Sequence, residues 1–559
     1  MNGIDFKKPN TGTALHFLPV ITTTPSSRRE IELRQSSARS YLARSLHKRK
    51  RASSDSIPDN EDGDLIEDMS SSNQLITKSR DKKNAGNYLI SGRVNIRAMP
   101  DIIVDSHTKM LLLYCIQFFW PGFELGSAAF HFPSFAVDYN ALISQGPALV
   151  HAVLWQAAVS QAIRRKSKVT DKTSLWHYNQ AINYISKEIS RPIDKISEQT
   201  MYAILSLTGS ELSPDEEDII SKRAFDPPLA ELSWIHVFGS RLHIDAHAKA
   251  LMRLVDLKGG IHSLKVTGFQ ASYNYMDLTR ATQKLIKPHL PISHIYDQVK
   301  ETHHRKSFFG YSAYFPLEHC AGNLSGHIEN LSGHGLSEDV KQITCDLRVW
   351  VKVIEAYNHG GLSTVDHSLL AGHRDLIQQR LLGTLPNGFV SETVFMTAEM
   401  EGLQVNHGTW INDLVQTALL TFSLGVTFPI TYAPPYHRLA LRLQEQIEQY
   451  EESALELKLY DLLIWVGLLG VLCAEQVNDD RRERFIQHLV IIEQEHPATL
   501  GAREWGDVKQ ESLEPFLWSH ISCDGAAKTA WDQVQRRIQH RFGSWETTAW
   551  PNMLGTFCG

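Results

Sequence analysis

The 559-residue chain is 42% hydrophobic and 21% charged with a formal net charge of −6, a composition that affords a large folded core. Its isoelectric point near 6.5 argues against a body coated for nucleic acid, so any DNA contact should be confined to patches. No apolar run reaches the roughly 20 residues of a membrane span, and Met1-Asn2-Gly3-Ile4-Asp5 lacks the continuous apolar stretch of a secretory signal.

Charge is distributed unevenly at the start. Residues 1–54 hold eleven Lys and Arg against Asp5, Glu30 and Glu32, a net of +8, whereas residues 55–68 hold seven acids and no Lys or Arg. The tip of the basic block, Lys48-Arg49-Lys50-Arg51, reads as a nuclear import signal for an import receptor. Ser53, Ser54 and Ser56 lie between that tip and the acidic run, where phosphorylation would set negative charge beside Arg51 and weaken import. Up to about Ala98 apolar residues are too sparse to offset the entropy of ordering, so residues 1–98 are expected to form a disordered leader. Within it, Ser27 and Glu30 are spaced as a capping box ahead of Ile31, Ala38, Tyr41, Leu42 and Leu46, which suggests a basic amphipathic helix over 28–51. A basic zipper does not fit, because the residues after Arg51 are acidic and lack heptads.

From about Ile102 the pattern is helical. Met110 to Trp120 is an apolar run stopped by Pro121 and Gly122. Pro147 opens a helix, apolar nearly all round to Ile163, that belongs in the middle of a bundle. Further helices are predicted at about Trp176 to Ile189, Ser197 to Leu207, Leu232 to Leu257, Ile343 to Tyr357, His367 to Leu382, Trp410 to Leu424, Tyr436 to Tyr450, Leu455 to Ala474, Arg481 to His496 and Trp505 to Trp518. Gly259-Gly260 reads as a left-handed helix cap with Ile261 packing back below a stripe of Leu251, Leu254, Val255 and Leu257. Gly467 and Gly470 share a face that could seat a neighbouring helix at short range. The expected fold is all-α: one large multi-helical domain of packed helix pairs over 99–540, with halves at about 99–265 and 340–540. A variable connection over 266–339, rich in His, Gly and Ser, would join the halves, and a tail would follow at 541–559.

Recognisable chemistry is sparse. The cysteines Cys115, Cys320, Cys345, Cys473, Cys523 and Cys558 are separated by 25 residues or more, so neither a paired-thiolate zinc site nor a disulfide framework is written here. His236, His243 and His247, at spacings of seven and four, would share one helix face and invite a metal reading. That reading lacks a fourth ligand, and satisfied or exposed imidazoles are favoured. His303-His304 reads as a solvated loop. There is no Gly-x-Ser-x-Gly elbow, no phosphate-binding Gly-x-x-x-x-Gly-Lys-Ser/Thr loop and no Gly-x-Gly-x-x-Gly turn after a strand. No catalytic residue, cofactor or metal ligand is therefore assigned.

The stretch His-x-x-Ala-Leu-Met-x-Leu-Val-x-Leu-Lys-Gly-Gly-Ile from His247 to Ile261 resembles a signature of the fungal-specific transcription factor domain, in its second helical group. Tyr114 to Phe123 resembles the opening helix of that family, Pro147 to Ala158 its alanine-rich buried helix, and His177 to Ile182 the next helix. Ile377 to Leu382, Leu462 to Gly470, Trp505 and Phe516 to Trp518 follow in the family's order. The resemblance implies a non-enzymatic transcriptional regulator acting in the nucleus through partner or ligand contacts. It further implies protein partners in the transcription machinery and a body able to form homodimers. Many members carry a six-cysteine binuclear zinc cluster ahead of this domain, whereas here no cysteine precedes Cys115, which puts direct DNA reading in question. A non-catalytic helical scaffold or adaptor is the alternative, with a small-molecule-binding protein or enzyme behind it. Replacing Lys48 to Arg51 by alanines should move a fluorescently tagged chain toward the cytoplasm; full nuclear retention would remove the import argument.

Overall fold

Asp105, Asp171, Ser197 and Ser337 each precede a helix and accept a hydrogen bond from the backbone N–H three residues on, at 2.6 to 3.3 Å, the side-chain cap that lets a helix start without orphaned donors. The computed structural model describes residues 105–119, 146–209, 223–290, 327–359, 367–386, 409–496 and 503–548, apart from positions 166, 168, 170, 242 and 267, together with Ile143, Ile220 and Phe389. The expected leader and its helix at 28–51 lie outside the described residues.

Among the described residues there are sixteen α-helices and no strand. In the first half these are α1 (Ser106–Tyr114, continued by a π-helical turn Cys115–Phe119), α2 (Pro147–Arg164), α3 (Lys172–Ile189), α4 (Glu198–Thr208), α5 (Ile235–Phe238) and α6 (Asp245–Leu257). Then come α7 (Phe269–Lys284), α8 (His327–Ser332), α9 (Glu338–Asn358), α10 (His367–Gly383), α11 (Thr409–Phe422, continued by a π-helical turn Ser423–Thr427) and α12 (Pro434–Glu456). The chain ends in α13 (Tyr460–Gln476), α14 (Arg481–Glu495), α15 (Trp505–Val508) and α16 (His520–Thr548). The fold is all-α. No described helix is long and apolar enough to cross a membrane.

Two packing centres form around two strongly apolar helices. Helix α2 buries Ala148 to Val159 on nearly every side except Gln156 and packs on α3 and α4, with α4 in turn on α6. Helix α13 buries Leu462 to Ala474 and packs on α11, α12, α14 and α16. Trp155 anchors the first centre, and Trp465 and Trp531 are buried in the second. Gly467 and Gly470 do admit a neighbour: a Cβ on Gly467 would lie 2.8 Å from Leu489 Cδ2, and one on Gly470 would lie 2.4 Å from Phe485 Cε1. Helix α14 therefore lies against the glycine face of α13.

Helix α6 ends as its glycines predict. Gly259 and Gly260 adopt φ of +95° and +89°, Gly260 N–H donates to Val255 O at 2.9 Å and Gly259 N–H to Asp256 O at 3.0 Å, and Ile261 is buried behind them, a Schellman cap. Leu251, Leu254 and Val255 are buried as expected, but Leu257 is 49% exposed and is not part of the stripe.

Elsewhere the structure departs from the sequence expectation. The helix expected over Leu232 to Leu257 is broken: Leu232–Trp234 is a 3-10 turn with Ser233 and Trp234 at φ +49° and +59°, and α5 gives way at Gly239 before α6 begins. The cause is tertiary. Trp234 Nε1 donates to Phe119 O at 3.2 Å, and a Cβ at Gly239 would lie 2.7 Å from Ile430 Cγ2, so this turn is pinned from both sides. The helix expected from Leu455 is likewise interrupted, with Lys458 at φ +58° between α12 and α13. Only Trp505–Leu513 of the expected Trp505 to Trp518 helix is helical, and a further helix, α16, runs through position 540 to Thr548.

The largest difference concerns the connection over 266–339. It contains α7, whose Phe269, Tyr273, Leu278 and Ala281 are buried and which packs on α4, α10 and α12. The segment expected to link two halves loosely thus supplies a helix that belongs to both. Substituting Gly470→Ala should cost about 1–3 kcal/mol of unfolding free energy in urea titrations, the usual cost of overpacking, because Phe485 must shift; an unchanged midpoint would mean that α14 is not seated on this face.

Candidate functional site

The break between α5 and α6 turns Arg241 into the interior, where it is 1% exposed. Its Nη2 donates to Ser160 Oγ at 2.5 Å and Gln156 O at 3.3 Å, and the guanidinium lies 4.5 Å over the Phe238 ring. Among the described residues Nε and Nη1 have no hydrogen-bond acceptor. Burial lowers the guanidinium pKa to about 9, opposed by the Tyr114 and Tyr275 hydroxyls, so the group stays charged at neutral pH.

Comparison with the other buried arginines isolates this one. Among the described residues Arg280 faces Asp277 and Asp245, Arg374 faces Asp375 at 2.7 Å, and Arg503 faces Glu493 at 2.9 Å, Glu511 at 3.1 Å and Asp461 at 3.4 Å. Burial works against the Arg503 charge as well, but the Glu493 hydrogen bonds and charge outweigh it and its pKa is raised. Arg241 makes no ion pair within the described chain. An uncompensated buried charge costs several kcal/mol even after relaxation.

The neighbourhood adds positive charge. Arg164 lies 5.4 Å from the Trp234 ring centre and makes no described ion pair. The Tyr114 hydroxyl is buried beside Arg164; burial raises its pKa, while a hydrogen bond and the charge of Arg164 act in the opposite direction. His236 is pushed down to about 4 by burial and by Arg164 and Arg223, and is therefore neutral at pH 7. Phe119 meets Trp234 and Phe238, both at ring separations of 6.1 Å, so the surroundings are aromatic.

Gln283 of α7 holds the turn that carries Arg241. Its Nε2 donates to Gly239 O and to Arg241 O, both at 2.8 Å, and its Oε1 lies 2.8 Å from His243 Nδ1. With Nδ1 donating to Gln283, His243 Nε2 can accept from Thr279 Oγ1 at 3.3 Å. Burial lowers the His243 pKa to about 4.

The three histidines expected on one helix face are therefore separated. His236 sits in α5, His243 in the extended link, and His247 in α6, because the helix that would have aligned them is broken at Gly239. Among the described residues no group of three or more His, Cys, Asp and Glu is placed to hold a metal ion. Cys115, Cys473 and Cys523 are buried free thiols whose pKa values burial pushes up. Lys48, Arg49, Lys50, Arg51, Ser53, Ser54, Ser56, His303 and His304 lie outside the described residues. A shallow cleft between Arg223, His236, Thr431, Tyr436 and Gln476 has room for about one water molecule.

A second buried polar group joins α1, α2 and α3. His151 Nδ1 and His177 Nδ1 are 2.8 Å apart, and His177 Nε2 lies 3.1 Å from Thr108 Oγ1. One ring must offer N–H and the other a lone pair, so the contact requires at least one neutral imidazole. Burial, reinforced by His151, pushes the His177 pKa down to about 3.

No known family, curated protein or solved structure matches the chain.

The histidine pair fixes a pH dependence. With His177 neutral in the folded state down to about pH 3 and protonated near pH 6.5 when unfolded, the unfolded chain binds the extra proton in between. Stability should fall as pH drops from about 6.5, by about 1.4 kcal/mol per pH unit for this group alone. Urea titrations of a His177→Gln protein should show a slope shallower by about one proton; an unchanged slope would contradict a neutral buried His177.

Proposed function

We propose that the chain is a transcriptional regulator of the fungal-type transcription factor domain kind, working in the nucleus through its helical body and without catalysis. The observation that carries this reading is the family-like order of segments from Tyr114 to Trp518. Their described parts fall on the end of α1 and its π-helical turn, on α2, α3, α6, α10 and α13, and on the stretch around α15. The most specific of them, His247 to Ile261, is a helix closed by a double-glycine cap.

In this reading the import signal Lys48 to Arg51 delivers the body to the nucleus, and phosphorylation at Ser53, Ser54 or Ser56 lowers that delivery. The helical surface then meets proteins of the transcription machinery or a second copy of the chain. DNA is reached through those partners. Fused to a foreign DNA-binding module in a yeast nucleus, the chain should change reporter output several-fold in either direction. Unchanged output from a fusion shown to be nuclear and intact would favour a scaffold instead.

A further inference from the structure

We infer that the Arg241 node is a binding site for the carboxylate of a small apolar or aromatic acid. Three features carry this. First, Arg241 is buried and charged, and its Nε and Nη1 have no acceptor, whereas every other buried arginine among the described residues has its carboxylate within the chain. Charge-assisted bonds from a guanidinium to a carboxylate are among the strongest hydrogen bonds a protein makes, so an acid arriving here meets donors that nothing has to vacate. Second, two further hydrogen-bond donors stand nearby: the buried Tyr114 hydroxyl and its neighbour Arg164, which has no described ion pair and lies over Trp234. Third, the rings of Phe119, Phe238 and Trp234 pack around this turn, which suits the apolar body of an organic acid and gives no extra donors to a hydrated ion.

The charge balance selects the class of ligand. His236 is neutral at pH 7, so the buried centre carries one positive charge on Arg241 with Arg164 at its margin. A monocarboxylate neutralises Arg241 one for one and sets its apolar body against the aromatic rings, whereas phosphate carries oxygens on every side that those rings would leave without hydrogen bonds. The turn is preorganised for this, because Gln283 fixes the Arg241 carbonyl and Ser160 with Gln156 fixes Nη2. Arg241 itself is 1% exposed, so the acid enters when the packing around this turn opens. This inference concerns a site inside the body and holds whether or not the chain regulates transcription.

The test is thermal unfolding and calorimetry on the purified full chain, with benzoate, butyrate, inorganic phosphate and chloride as probes at matched ionic strength. Benzoate and butyrate should raise Tm by several degrees over chloride through preferential binding to the folded state, phosphate should not, and Arg241→Met should abolish the difference. No rise over chloride, an equal rise with phosphate, or an equal rise in the Arg241→Met protein would overturn the proposal. Should Arg241→Met fail to fold, Tyr114→Phe and Arg164→Met carry the test. Weaker benzoate binding in either one supports the site, and an unchanged Kd in both overturns it.

Discussion

Gln283 ties together with hydrogen bonds parts of the molecule that also share one apolar core. Its side-chain amide holds the carbonyls of Gly239 and Arg241 and meets His243, while its own carbonyl accepts from Arg438 Nη2 of α12 at 2.8 Å. One residue thus connects the turn between α5 and α6 to the helices around α13. The neighbouring Thr282 extends the connection, because Gln378 Nε2 donates to its hydroxyl at 3.1 Å and Ser423 Oγ donates to Gln378 Oε1 at 2.6 Å. Each buried group of this kind costs about 1–3 kcal/mol when its partner is removed. Helix α7 is therefore held by polar satisfaction as much as by its buried aromatic residues.

The same clamp explains how an unpaired charge can be tolerated in the interior. Arg241 gains two hydrogen bonds and an aromatic face, and Gln283 fixes its backbone, but nothing described in the chain neutralises it. Arg503 marks the opposite solution. There Glu493 takes the guanidinium, the Arg503 carbonyl accepts from Trp531 Nε1 and Gln535 Nε2, both at 2.8 Å, and α14 and α16 are locked at that end of the molecule. One buried arginine closes a structural joint, and the other leaves donors open among aromatic rings.

The sequence makes the apolar scaffold legible and hides the polar joints. Helices α2, α4 and α13, the double-glycine cap of α6 and the Gly467/Gly470 face were all readable, because burial, proline, glycine and capping residues leave local marks. Helix α7 was not, since FQASYNYMDLTRATQK reads as polar and its Thr279, Thr282, Gln283 and Asp277 are buried only because partners distant in sequence meet them. The break at Ser233 and Trp234 was equally invisible, as it depends on Phe119 and Ile430, more than 100 residues away in either direction. Arg241 left one signal that could have been used: a single cation inside the apolar stretch from Leu232 to Ile244 with no acid nearer than Glu231 and Asp245.

The proposed regulatory role asks the helical body to respond as a unit, and the physical condition for that is the joint at Gln283. Native-state hydrogen exchange in the Gln283→Ala protein measures it directly, because amides in α2, α4 and α13 report the opening of each part separately. The account predicts that α2 and α4 lose protection while α13 keeps its wild-type protection. Unchanged exchange throughout, or an equal loss in α4 and α13, would contradict the claim that Gln283 is a principal polar joint between the turn bearing Arg241 and the rest of the protein.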